Sequence, residues 1–145
     1  LLILSFIIIC QVNCNAQPLT KADSLIEFSK KFIGVKYKYA TANPKKGFDC
    51  SGFVNYVFTY FNIQVPRSSK LYYDFGKSIK LDSCKAGDVL LFEKPGHVGI
   101  VVKNINDSLL FIHASSDKRH GGVKISNFNN FNNYKNRFVK AIRVF

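Results

Sequence analysis

Acidic residues are scarce in this 145-residue chain: nine Asp and Glu stand against 21 Lys and Arg, for a formal charge of +12. The positives are scattered (Lys30, Lys31, Lys36, Lys38, Lys45, Lys46, Lys135, Lys140), and no nucleic-acid motif organises them, which argues against a nucleic-acid partner. A basic surface of this kind is drawn instead to anionic polymers and lipid head groups. Cysteine is also sparse. Of four, Cys10 and Cys14 fall in the opening stretch, which leaves Cys50 and Cys84, too few for a disulfide-stapled scaffold. A single Cys50–Cys84 bridge is possible by count, but the neighbours of Cys50 favour a free thiol.

The one long apolar run, Leu1 to Cys10, is short of the ~20 residues a membrane helix needs. Asn13-Cys14-Asn15-Ala16 ends it in small and polar residues. Residues 1–16 therefore read as a secretory signal with cleavage after Ala16, and 17–145 as a single exported domain. With no Met and no basic residue ahead of Leu1, further residues are expected upstream. Lipidation at Cys10 or Cys14 is the alternative, though Ile9 and Asn13 are bulky for it.

Repeats and low-complexity domains are absent, and 127–136, rich in Asn, reads as irregular. Leu25, Ile26, Phe28, Phe32 and Ile33 give 22–33 one apolar side, and Gly34 can end that helix. The dense apolar run Cys50 to Phe61 predicts a buried helix with Asp49 as N-cap. A short helix is expected over Ser69 to Phe75. Beyond residue 87 the texture changes to short β-branched and aromatic runs at 89–92, 97–102, 109–114, 122–125 and 138–144. Helices first and strands afterwards predict an α+β domain with an antiparallel sheet.

Cys50 then lies at a helix N-terminus, where backbone N–H groups favour a thiolate. A thiol nucleophile needs a base, and the base needs an orienter. His97 and His113 meet that need if a hairpin centred on Asn106 sets Gly99 opposite His113. The two histidines become diagonal neighbours roughly 7–8 Å apart on one face, whereas a one-residue slip separates them onto opposite faces. Cys50 would attack a carbonyl carbon, His97 would move the proton, and His113 would hold the His97 tautomer. The Cys50 N–H and Tyr37 could bind the oxyanion. These residues match zinc ligands in type but lack a close pair and a fourth member, so neither metal nor cofactor is expected. Cys84 reads as a spare thiol and His120 as a turn residue.

The segments Gly34-Val35-Lys36-Tyr37, Gly47-Phe48-Asp49-Cys50-Ser51-Gly52-Phe53-Val54, Val65-Pro66-Arg67-Ser68-Ser69, Ala86-Gly87-Asp88-Val89, Gly96-His97-Val98-Gly99-Ile100 and Ile112-His113-Ala114-Ser115, in this order, resemble the NlpC family of bacterial cell-wall cysteine peptidases. The resemblance implies a papain-like fold, with N-terminal helices on a central antiparallel sheet of about five to six strands. It also implies a monomeric peptidoglycan endopeptidase of the periplasm or cell envelope. Its substrate would be the γ-D-glutamyl–diamino acid bond or the D-Ala–diaminopimelate cross-link of the stem peptide, with the basic surface held to the anionic wall. Cys50, His97 and His113 take the triad positions and Tyr37 that of the tyrosine beside the thiol. Asp49, Ser51, Arg67 and Ser68 fall on positions that shape the site. A secreted amidase toxin and a catalytically silent wall-binding module are the competing readings. Where many members carry Gly-Gly after the aromatic at Tyr39, this chain has Ala40-Thr41, which marks the Tyr37–Gly47 loop as the place where specificity is set.

Overall fold

The computed structural model describes residues 18–93, 96–106, 108–130 and 132–145; the signal segment expected over 1–16 lies outside them. The first helix, α1 (Lys21–Lys30), starts one residue earlier than its apolar spacing suggests. Thr20 accepts from the Asp23 N–H while the Asp23 carboxylate accepts from the Thr20 N–H, a reciprocal cap. It also stops short of Ile33, since residues 31–34 wind into turns ending at Gly34, whose φ of +90° suits glycine. Gly34 and Val35 then bond the backbone of Val123, tying this connection to the far edge of the main sheet.

A small hairpin, β1 (Ala42–Asn43) with β2 (Gly47–Phe48), leads into α2 (Cys50–Tyr60). Asp49 caps α2 as predicted, accepting from the Gly52 N–H at 2.6 Å. Phe53, Val54, Val57 and Phe58 are wholly buried in the core cluster that also holds Val98, Ile100, Ile112 and Ala114 of the sheet, so the helix that presents Cys50 is firmly seated. The segment expected as a short helix near Ser69 is a 3₁₀ helix, Ser69–Asp74.

The main sheet contains β3 (Lys77–Ile79), β4 (Val89–Phe92), β5 (His97–Ile105), β6 (Ser108–Ser115), β7 (Gly122–Asn127) and β8 (Phe138–Arg143). Their order is β3-β8-β4-β5-β6-β7, with antiparallel neighbours throughout. The fold is thus α+β, as expected. Alternation along β4 sorts Val89 and Leu91 toward α1 and α2, and Leu90 and Phe92 into a second cluster with Phe111, Phe128 and Ala141. Two elements depart from expectation. β3 is a three-residue edge strand too short and exposed to show a pattern. The Asn-rich stretch read as irregular contains α3 (Asn132–Arg137), a single turn and a half whose residues have modest helix propensity. Among the described residues no helix is long and apolar enough to cross a membrane.

The β5–β6 hairpin decides where the histidines point. At its tip Ile105 pairs with Ser108, and that register, carried straight down, would put His97 and His113 on opposite faces. A bulge between Val101 and Lys103 shifts the pairing by one residue, giving Val101 with Phe111 and Ile100 with Ile112. Continued, this sets Gly99 opposite His113 and returns both histidines to one face.

Candidate active site

Cys50 is the first residue of α2 and only 8% exposed. Burial pushes its thiol above the ordinary value. The N–H groups of Val98, Ser51 and Cys50 itself pull the other way, and the Asp49 charge adds to the upward push. A thiol in this setting needs a base to take its proton before it can act as a nucleophile.

His97 and His113 stand edge to face, with ring centroids 4.9 Å apart and planes at 87°. His97 Nε2 lies 2.8 Å from His113 Nδ1, and His113 Nε2 lies 2.9 Å from the Ser126 hydroxyl, with the Tyr134 hydroxyl at 3.4 Å. With Nε2 engaged, Nδ1 is the His97 nitrogen left to act on a thiol. For that atom to accept a proton, Nε2 must carry the hydrogen and donate to His113 Nδ1. His113 Nε2–H must then donate to Ser126 Oγ. Burial, then the charge of Arg137, lowers the His97 pKa to about 3. Burial, then His97, then Lys124, holds His113 well below its usual value. Both rings are neutral, as this proton order requires. Gly99 makes the arrangement possible, because a Cβ there would sit 2.6 Å from the Phe111 ring and 3.0 Å from His113 Cβ.

On the opposite wall Arg67 grips Asp49 with both terminal nitrogens, at 2.9 and 2.7 Å, and its Nη1 also reaches Ser51 Oγ at 3.1 Å. Ser51 in turn donates to Asp49. Burial alone would raise the Asp49 carboxyl, but the Arg67 bonds, the Gly52 N–H and the Ser51 hydroxyl outweigh it and hold the acid below its ordinary range. The network locks the first turn of α2. Gly52 lets that turn pass under the loop, since a Cβ would lie 2.3 Å from the Thr41 carbonyl oxygen.

All eight residues singled out in the sequence (Cys50, His97, His113, Tyr37, Asp49, Ser51, Arg67 and Ser68) line one cleft of about 860 Å³. Tyr37 pairs with Phe48 in an isolated bridge, which sets it on the wall, and burial, then the charges of Cys50, Asp49 and Tyr39, push its phenol up. Ala40, in the loop that departs from the family pattern, also lines the cleft and holds φ +54°, a conformation that favours glycine. Cys84 is buried and free, packed in the second cluster, and His120 sits in the turn at 118–120. Among the cleft residues that escaped the sequence reading are Lys124, Ser126, Tyr134 and Arg137, which lie on the histidine side. The usable signal was faint. Lys124 and Ser126 alternate with the apolar Val123 and Ile125 along β7, a pattern that many strands show.

Comparison with known proteins places this cleft in context. The model of the NlpC/P60 family matches residues 34–143. The chain is 29% identical to the gamma-DL-glutamyl hydrolase of Bacillus subtilis, over 96% of this chain and 36% of that protein. It is 37% identical to the murein DD-endopeptidase MepS/murein LD-carboxypeptidase of Escherichia coli, over 77% of this chain and 56% of that protein. It thus spans between about a third and just over half of these curated relatives. Among solved structures, an NlpC/P60 family protein from Bacillus cereus superposes with a TM-score of 0.75 at 26% identity, covering 88% of this chain and 41% of that one. The NlpC/p60 domain of the peptidoglycan hydrolase SagA gives 0.68 at 25% identity, covering 86% and 99%.

Proposed function

The chain belongs to the NlpC/P60 family, and from that premise we propose that it is an exported cysteine endopeptidase that hydrolyses amide bonds in peptidoglycan stem peptides at the cell envelope. The observation that carries this reading is the His97–His113 contact of 2.8 Å in the cleft that also holds Cys50 at the head of α2. His97 Nδ1 takes the thiol proton as Sγ attacks the carbonyl carbon. The Cys50 N–H and the Tyr37 hydroxyl hold the oxyanion. The imidazolium then gives its proton to the departing amine, leaving a thioester that water opens with His97 again as base. His113, itself held by Ser126, keeps the His97 hydrogen on Nε2. Asp49, Ser51, Arg67 and Ser68 shape the wall that receives the acyl half.

The names of the relatives support D-configured or γ-linked peptide substrates, with the γ-D-glutamyl–diamino acid bond and the D-Ala–diaminopimelate cross-link as the two candidates. The net charge of +12 supports retention on an anionic wall. The test is incubation with purified muropeptides and mass spectrometry of the products. Wild type releases new fragments, Cys50→Ala and His97→Ala release none, and His113→Ala retains part of the rate. Absence of any new fragment from wild type refutes the assignment.

A further inference from the structure

Four cations line the cleft: Arg67, Lys70, Lys124 and Arg137. Arg67 is committed to Asp49, and Lys70 is exposed on the rim. Lys124 and Arg137 are half-buried and lie on the histidine side. Lys124 is the β7 residue paired directly with His113, so the two side chains share a face. Arg137 ends α3 and donates from Nε to the Glu93 carbonyl oxygen at 2.8 Å. Among the described residues Lys124 makes no ion pair, and its Nζ reaches only the His120 carbonyl oxygen at 3.4 Å. Asp117, which also lines the cleft, turns Oδ1 to the N–H groups of Arg119 and His120, both at 2.8 Å.

We propose that Lys124, in the cleft it shares with Arg137, forms a carboxylate subsite for the leaving half of the substrate. The residue released as the amine must then carry a free carboxylate. This rests on the hydrolase reading above and specifies its substrate. The side follows from the proton path: His97 hands its proton to the departing amine, so that half of the peptide lies over the histidine strands, where these cations stand. The chemistry agrees with both candidate bonds. A diaminopimelate released from γ-D-glutamate carries a free carboxylate at its far centre, and also at the acylated centre where it ends the peptide. In a diaminopimelate cross-link the acylated centre keeps its own. A carboxylate bound here also answers an electrostatic problem. Arg137 and Lys124 disfavour a positive charge on His97 and His113 respectively, and an anion between them relieves that as the imidazolium forms.

The experiment compares L-Ala-γ-D-Glu-diaminopimelate with the same peptide carrying carboxamides on diaminopimelate. Turnover is measured with wild type, Lys124→Met and Lys124→Arg, and binding with Cys50→Ala alone and combined with Lys124→Met. Wild type is expected to prefer the free acid by roughly 10- to 100-fold, the range of one hydrogen bond to a charged group. Lys124→Met should bring the ratio near one, and Lys124→Arg should retain most of it. An acid-to-amide ratio that is the same in wild type and Lys124→Met overturns the subsite. Failure of wild type to cut either peptide, together with no new fragment from any muropeptide, overturns the hydrolase reading instead, and the binding ratios then decide the subsite alone.

Discussion

Removing the Ser126 hydroxyl isolates the far end of the proton chain. In the folded protein Ser126 Oγ lies 2.9 Å from His113 Nε2, and the two residues are 7% and 1% exposed, so the acceptor is largely screened from bulk water. Ser126→Ala leaves His113 two choices. It can keep its hydrogen on Nε2, unsatisfied, at a cost of about 1–3 kcal/mol. Or it can move the hydrogen to Nδ1, which then faces His97 Nε2 and drives the His97 hydrogen onto Nδ1, the atom that must accept the thiol proton. Either way the competent arrangement is disfavoured. With the Tyr134 hydroxyl, 3.4 Å from the same nitrogen, taking up part of the bond, the net penalty is about 1–2 kcal/mol, or roughly 5- to 30-fold in kcat. KM should change little. The assay pairs muropeptide turnover with ¹⁵N NMR of the imidazoles, which reports the tautomers directly. Ser126→Thr, retaining the hydroxyl, should recover most of the rate. A Ser126→Ala enzyme within twofold of wild type would refute the reasoning, as would a slower one whose tautomers are unchanged.

Three other outcomes follow from the same geometry. An unfolded histidine titrates near 6.5, whereas His97 is held at about 3, so below pH 6.5 the unfolded chain takes a proton that the native state refuses. Stability should be flat above that pH and then fall by about 1.4 kcal/mol per pH unit for His97, with His113 adding in the same direction. Urea midpoints at pH 7, 6 and 5 measure this, His97→Gln should make the decline shallower, and a constant midpoint would show that the rings are not buried as described. Arg67→Ala strips a nearly buried carboxylate of its partner; because the Arg67 side chain is 43% exposed, the loss should be at the lower end for such pairs, about 1–2 kcal/mol, read as a drop in Tm of several degrees. Gly99→Ala forces a methyl against Phe111 and His113, so about 1–3 kcal/mol of stability and most of the activity should be lost together, and an active, equally stable variant would disprove the close packing.

How far the sequence carries depends on how local each feature is. Asp49 caps α2 through a bond to Gly52, three residues away, and the apolar run behind Cys50 needs only its own spacing to declare a helix. β4 is likewise legible, its observed span of Val89–Phe92 matching the apolar run residue for residue. The expectation that His97 and His113 share a face was correct, but the tight turn alone would have denied it. The β5–β6 bulge restores it, and nothing in the neighbourhood of Val102 announces a bulge. α3 was hidden because its Asn-rich residues have little intrinsic preference for helix, and with it went Tyr134 and Arg137.

The sequence by itself determined the candidate nucleophile, its cap, the order of the two histidines and the family, because caps, periodicity and motif spacing are properties of neighbours along the chain. Only the tertiary structure decided which nitrogen of His97 is free, that Ser126 holds His113, and that Lys124 stands beside the histidine pair. Those relations are set by strand register between β5, β6 and β7, where a shift of one residue reverses every side chain.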